Sequence, residues 1–195
     1  MEYLRLVKPT LEHKQSGIEY IEEHYRYNSN IHGSGGLDRY LNNYQEWIIK
    51  LKNDISNPGP GRVRALTYFL IRESDSKIIG MINIRLELND QLRRSGGHIG
   101  YSIRPTERRK GYNKINLYLA LEICHQYGLE EVILDCEKKN LGSSKTMQAL
   151  GGKLISEYID ENNLLCQRYN INVSKSLKEY YNLYSQSKNL KKVRK

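Results

Sequence analysis

Residues 104 to 121 read RPTERRKGYNKINLYLAL, with Arg108, Arg109, Lys110 and Gly111 standing directly before a segment striped with apolar side chains. A helix begins with unpaired backbone N–H groups and the positive end of its dipole, so a basic turn there is suited to an anion. Glycine lets the main chain approach a phosphate closely. Arg109, Lys110 and Lys114 would add charge-assisted attraction to a polyanion. There is no GxxxxGK[ST] run and no GxGxxG, so the turn is neither a nucleotide P-loop nor a dinucleotide fingerprint. A solvated basic loop is the plainer alternative. What favours the anion site is order: strand, proline, basic glycine turn and amphipathic helix follow one another in register.

Those residues need elements to hold them, and the chain supplies an alternating plan. LRLVKP (4–9) reads as a first strand, and 10–27 and 37–53 as helices separated by the turn-rich NSNIHGSGG (28–36). After the break NPGPG (57–61), ALTYFLIRES (65–74) and KIIGMINIRLEL (77–88) read as two strands joined by a tight turn. A polar connection, NDQLRRSGG, leads to the strand HIGYSIRP (98–105), which Pro105 ends. Over 111–126, Ile115, Leu119, Ile123, Leu117, Leu121 and Cys124 oppose Tyr118, Glu122 and His125, an amphipathic helix. VILDC (132–136) suits the interior of a sheet, and GSSKTMQALGG a short helix stopped by Gly151. KLISEYID and LLCQRYNINV form a hairpin about ENN. The expected class is α/β (α+β) with one central sheet, in one domain over 1–172 followed by a basic helix and tail over 173–195.

Composition narrows the class further. With 195 residues, 38% hydrophobic and 27% charged, the chain can bury a substantial core. No apolar run approaches the roughly 20 residues that span a bilayer, and MEYLRLVKPT has no signal-peptide character. Cys124, Cys136 and Cys166 are odd in number with no CxxC pair, and Cys124 and Cys136 sit among aliphatics, so they read as core residues in a reducing cytoplasm. The five histidines show no metal-ligand spacing, so no metal is expected. Of the net charge of +9, residues 173–195 carry seven Lys/Arg against Glu179, or +6, which leaves +3 for the body. The high isoelectric point therefore belongs mostly to the tail. There Val173, Leu177, Tyr180, Tyr181 and Tyr184 follow helical spacing, and SQSKNLKKVRK reads as a frayed basic end.

The stretch GHIGYSIRPTERRKGYNKINL resembles the acetyl-coenzyme A signature of the GCN5-related N-acetyltransferase (GNAT) superfamily, whose core is Arg/Gln-x-x-Gly-x-Gly/Ala. Here that core reads Arg108-Arg109-Lys110-Gly111-Tyr112-Asn113. KKNLGSSKTMQALGG resembles the family's later asparagine motif, and the likeness is good over about residues 65 to 160. It is similar to a branch of predicted bacterial acetyltransferases bearing GHIGYSIRP and RKGY.

The resemblance implies a mixed, mostly antiparallel sheet flanked by helices, in which the strand before the motif splays from its neighbour. It places Tyr101, Ser102 and Ile103 on that strand beside a pantetheine arm, and the pyrophosphate on the amides of Arg109 to Lys114. Arg108 opens the motif, and Asn140 and Ser143 stand beside the cofactor arm. Three positions depart from the pattern: Asn113 replaces Gly or Ala, Gly151-Gly152 replaces Gly-Phe, and Met147 replaces a tyrosine that protonates the thiolate. Methionine has no proton to donate, which leaves Tyr112 and Ser144 as candidate acids.

The implied reaction is direct attack of an amine on acetyl-CoA, the acceptor being a small molecule or peptide. Such an attack needs a base, and a carboxylate at the strand ends is suitable. Asp135, which interrupts Val132-Ile133-Leu134 and aligns with an acidic position of some relatives, is the first candidate; a structural pairing with a nearby lysine is the alternative. Glu137, Glu87 and His98 follow as catalytic candidates, and an Ile103 amide could stabilise the developing oxyanion. Asn83, Arg85 and His98 are the expected acceptor contacts, with IHGSGG (31–36) at the acceptor's gate. Tyr40, Tyr44 and Trp47 read as core. Two other readings stand beside the enzyme: a coenzyme A-binding module without turnover, and a basic nucleic-acid-binding module. A membrane is not an expected partner, nucleic acid is the weakest one, and a homodimer is compatible with the plan.

Overall fold

The computed structural model of the chain describes residues 2–186. Strands β1 (Leu4–Val7), β2 (Ala65–Arg72), β3 (Lys77–Arg85) and β4 (Ile99–Ile103) pair antiparallel in sequence order. Strands β5 (Glu131–Glu137), β6 (Lys153–Ile159) and β7 (Leu165–Asn172) form a second antiparallel sheet in the order β5-β7-β6. The helices are α1 (Lys14–Arg26), α2 (Tyr44–Ser56), α3 (Asp90–Arg94), α4 (Tyr112–Gln126), α5 (Leu141–Gln148) and α6 (Val173–Tyr184). No helix of the described residues is long and apolar enough to cross a membrane.

The runs ALTYFLIR and KIIGMINIR are apolar on both faces because helices cover both faces. On one side Leu66, Ile82 and Ile84 pack with Leu117 and Leu121 of α4 and with Val132 and Leu134 of β5. On the other, Phe69 and Met81 pack with Tyr20 and Ile21 of α1 and Trp47 of α2. Tyr44 and Trp47 are core, as their spacing suggests, and Tyr40 packs against the same cluster. Cys124, Cys136 and Cys166 are buried and free.

The expected single sheet is two, and the seam between them is the feature that matters for function. β4 and β5 are joined by one isolated bridge, Gly97 to Leu134. There the His98 amide donates to Ile133 O at 2.7 Å, and the Ile133 amide donates to His98 Nδ1 at 3.0 Å. Gly97 has φ +61°, and a Cβ on it would meet Ile133 O at 2.3 Å, so the crossing requires glycine. Beyond this vertex the strands separate.

Other boundaries moved for local reasons. The helix expected over 10–27 opens with a 3-10 turn, Leu11–His13, before α1. The one expected over 37–53 begins only at Tyr44, because left-handed Gly36 starts a separate turn, Leu37–Arg39. The connection NDQLRRSGG contains α3, capped by Asn89 Oδ1, which accepts from the Leu92 amide at 2.9 Å. α6 lies on α4, where the Tyr118 hydroxyl donates to Leu177 O at 3.1 Å. Of the basic end SQSKNLKKVRK, the part from residue 187 onward falls outside the described residues.

Candidate active site

The basic turn is built as its order suggested. Pro105 opens a 3-10 turn, Pro105–Glu107, and the chain then passes through left-handed Arg109 (φ +65°) and Gly111 (φ +82°) into α4. A left-handed arginine costs about 1–2 kcal/mol. The result is a row of donors: the amides of Arg109, Lys110, Gly111, Tyr112 and Asn113 have no acceptor among the described residues. The Lys114 amide, expected in this row, instead donates to Gly111 O at 3.1 Å.

The side chains divide between support and display. Glu107 lies beneath the turn with its side chain 5% exposed, and holds Lys110 at 2.8 Å, Lys77 at 2.9 Å and Arg72 at 3.0 Å. Burial raises the Glu107 pKa, but the bonds from Lys110, Lys77 and Arg72 outweigh it and bring it down to about 2. Arg108 folds back, donating from Nε to Ile103 O at 3.1 Å and from Nη2 to Ser29 Oγ at 2.5 Å. The Tyr112 hydroxyl is engaged with Glu2. Arg109 and Lys114 pair with no carboxylate among the described residues. Beside the turn lies a cavity of about 390 Å³, lined by Lys110, Gly111, Tyr112 and Lys114 and, across from them, by Leu183 and Tyr184.

The seam continues from that turn. Arg85 N donates to His98 O and Arg104 N to Ile79 O, both at 2.8 Å, which sets the ladder between β3 and β4. Antiparallel alternation then turns the main chains of Tyr101 and Ile103 toward the seam and that of Ser102 toward β3. Ser102 is therefore corrected: its side chain serves α1 and the neighbouring loop, bonding Tyr20 Oη at 2.9 Å and His32 O at 2.6 Å. The Tyr101 hydroxyl reaches Ser143 O of α5 at 3.4 Å, and Asn113 Nδ2 reaches Thr146 Oγ1 at 3.3 Å. Asn140 caps α5, its Oδ1 accepting from the Ser143 amide at 3.1 Å. Met147 is fully buried in the core, and the Ser144 hydroxyl is bound to Leu141 O.

On the face opposite α4, the loop 28–36 lies against β2 to β4. It is pinned by Ser102 at His32 and by Trp47 Nε1, which donates to Gly35 O at 3.2 Å. Asn83 Nδ2 donates to Thr67 Oγ1 at 3.0 Å, and Arg85 Nη1 to Gly96 O at 3.1 Å and Gly97 O at 2.8 Å. Burial lowers the Arg85 pKa, with Asp135 opposing. His98, whose pKa burial also lowers, accepts through Nδ1 and is thereby fixed as the neutral Nε2–H tautomer at the vertex.

Asp135 does not stand free. Arg168 donates to it from Nε at 2.9 Å and Nη2 at 2.8 Å, and the Gly96 amide and the Tyr158 hydroxyl each add a bond of 2.8 Å. Three of these bonds fall on Oδ2 and one on Oδ1. Arg168 also holds Arg93 O at 2.6 Å and Arg94 O at 2.8 Å, so the pair clamps α3 to β5. This geometry argues against the expected base role, because the carboxylate side chain is only 6% exposed and is committed to Arg168, Gly96 and Tyr158. Two residues along the same face, Glu137 is less committed: Lys139 lies 2.9 Å from its Oε2 in an ion pair, and that buried oxygen has no hydrogen bond of good geometry. Glu87 pairs with Arg64 at 3.5 Å, and both side chains are about half exposed. Sequence reading missed Arg168 altogether, since nothing local marks it. It also missed the contact between Gly33 and Gly100, although both glycine-rich stretches were visible.

Comparison with known proteins gives a family. The model described as "Acetyltransferase (GNAT) domain" matches residues 4–153. No curated protein matches the chain. Among solved structures, the microcin C7 self-immunity acetyltransferase MccE in complex with acetyl-CoA and AMP is 14% identical, with TM-score 0.64 over 87% of this chain and 92% of that one. Mycobacterium smegmatis RimJ in complex with CoA-disulfide is 12% identical, with TM-score 0.69 over 90% of this chain and 88% of that one. A spermidine N-acetyltransferase chimera from Vibrio cholerae and hSSAT is 15% identical, with TM-score 0.62 over 90% and 99%.

Proposed function

The chain belongs to the GNAT acetyltransferase family, and we propose that it transfers the acetyl group of acetyl-coenzyme A to a primary amine of a small molecule or peptide. The observation that carries this reading is the row of five unpaired amides from Arg109 to Asn113 at the head of α4, placed beside the open seam of β4 and β5. A diphosphate fits that row: the amides are consecutive, Gly111 adds no side chain, and a Cβ there would meet nothing within 4 Å. Arg109 and Lys114 would balance the phosphate charge. The main chains of Tyr101 and Ile103 would pair with the amides of the pantetheine arm, with Asn140 and Ser143 beside it.

When bound, acetyl-CoA supplies an activated thioester. The amine nitrogen bonds to the acyl carbon, the carbon–sulfur bond breaks, and the second amine proton goes to the departing thiolate. Before this, an ammonium acceptor must lose its first proton. Glu137 takes that proton, directly or through water, and its greater exposure, 24% of the side chain against 6% for Asp135, with a single exposed lysine as partner, supports the role better than the Arg168-bound Asp135 does. Asp135 with Arg168 holds β5 in place. The Ile103 amide, turned toward the seam, is the donor available to a developing oxyanion. Three free, buried thiols suit work in a reducing cytoplasm.

The test is acetyl-CoA-dependent release of free thiol with a panel of amines: spermidine, a peptide with an N-terminal alanine, and free amino acids. Thiol release that depends on one class of amine, with the acetylated product seen by mass spectrometry, is the expected result. Tight acetyl-CoA binding with no transfer to any of them would leave the binding module as the better reading.

A further inference from the structure

Arg85 spends one edge of its guanidinium and leaves the other open. Nη1 is satisfied by Gly96 O and Gly97 O, whereas Nε and Nη2 have no acceptor among the described residues. The side chain is half-buried on the face of β3 opposite α4, and burial lowers its pKa, so the open edge is a partly desolvated charge lacking a counter-ion. Neither neighbouring carboxylate bonds to it. Asp135 is gripped by Arg168, and Glu137 is ion-paired with Lys139.

A second donor meets the same spot. Gly33, in the loop 28–36, crosses β4 so closely that a Cβ on it would meet Gly100 O at 2.4 Å. Its own amide has no acceptor among the described residues. From the place where a side chain on Gly100 would begin, Gly33 N is 3.5 Å away and Arg85 Nη2 3.9 Å away. Gly100 is in a regular strand, without the positive φ that forces glycine. What its missing side chain leaves is a gap with two unpaired N–H donors, one of them charged. His32 adjoins it: burial holds its pKa down, while Glu137 raises it and Arg85 lowers it, so both charges lie within reach of one imidazole.

We infer that the acceptor of this enzyme carries a carboxylate as well as its amine, and that Arg85 and the Gly33 amide hold the carboxylate over the bare Cα of Gly100. The free Nε–Nη2 edge matches a carboxylate's two oxygens, and Gly33 N–H adds a third bond. Glu137 then receives the ammonium end. The substrate class is an amino acid or a close analogue, rather than a polyamine. This inference rests on the acetyltransferase reading above.

The experiment compares α-, β- and γ-amino acids with their carboxamides and with spermidine as acceptors of acetyl-CoA. The wild type is run beside Gly100→Ala and Arg85→Lys. A methyl on Gly100 makes only ordinary contacts of 3.5 to 3.9 Å, so the fold tolerates it while the gap is filled. The expected wild-type result is a kcat/KM for one amino acid at least about tenfold above that for its carboxamide, the size of one charge-assisted contact. Gly100→Ala and Arg85→Lys should each bring that ratio toward one, chiefly through KM. The ratio within each variant controls for the weaker basicity of the amide's amine. Spermidine or the carboxamides acetylated as well as any amino acid would overturn the inference while leaving the acetyltransferase intact, and so would a preference that survives in Gly100→Ala. Failure of the wild type to bind acetyl-CoA in calorimetry would remove the acetyltransferase reading, and this inference with it.

Discussion

Asp135 and Arg168 are direct cross-strand partners on β5 and β7, and the guanidinium grips the carboxylate through Nε at 2.9 Å and Nη2 at 2.8 Å. With both side chains largely buried, removing one partner leaves the other charge unpaired. Asp135→Ala should therefore cost about 3 kcal/mol or more of stability, a fall in Tm of roughly 6–12 °C for a chain of this size. The pH–rate profile of the variant should keep the wild-type shape. A variant with full stability and a vanished basic step would return Asp135 to the catalytic role.

Glu137→Gln keeps the size of the side chain and removes its proton-accepting charge. Turnover should fall by about a hundredfold or more, the usual contribution of a general base. Acetyl-CoA affinity, measured by calorimetry, should hold within about threefold, since a base acts on the acceptor and not on the cofactor. Turnover equal to wild type would exclude Glu137.

The Glu107 network predicts a particular acid sensitivity. Its folded pKa of about 2 lies below the ordinary 4.5, so its stabilising contribution is complete above pH 4.5. That contribution is lost as pH falls from 4.5 toward 2. Glu107→Gln should lower Tm at pH 7 and flatten the decline of Tm over that window. Parallel wild-type and variant Tm curves across it would show that the carboxylate adds nothing.

Gly33 and Gly61 share a left-handed φ, +74° and +72°, but differ in surroundings. A Cβ on Gly61 meets nothing within 4 Å, so Gly61→Ala should cost only the strain of about 1–2 kcal/mol. On Gly33 the same methyl would meet Gly100 O at 2.4 Å and displace the loop. Acceptor kcat/KM should fall at least tenfold in Gly33→Ala while acetyl-CoA affinity stays near wild type. Kinetics and calorimetry on the two variants separate strain from placement.

Legibility in the sequence followed the range of the interactions. The turn at Arg108 to Gly111 could be read because its signals are adjacent: a proline, cations, a glycine and an apolar stripe within 18 residues. Strands β2 and β3 were legible from their continuous apolar runs, and helix α4 from its apolar stripe, for the same reason. α3 was not, because its five residues carry no apolar stripe and its main signal is one capping Asn89. The role of Asp135 was hidden because Arg168 is 33 residues away and reaches it only through the β5–β7 register. The split of the sheet was hidden as well: strand periodicity says which residues share a face, not where two strands part. That is decided by Gly97 and by His98 replacing a main-chain acceptor for Ile133. The gap at Gly100 depends on three segments meeting: alone, Gly33 read as part of a turn and Gly100 as part of a strand.

The most direct measurement is calorimetric titration of acetyl-CoA into the wild type, Gly111→Ala and Gly111→Glu. A Cβ at this left-handed position has open space around it, so the alanine reports strain alone and the glutamate adds a negative charge at the head of α4. The expected result is clear binding by the wild type, a modest loss in the alanine variant, and a further loss of about a hundredfold or more with glutamate, as like charge at a phosphate site requires. Binding that is equal in the alanine and glutamate variants would contradict a phosphate cradle on this turn. No binding by the wild type would contradict the acetyltransferase reading itself.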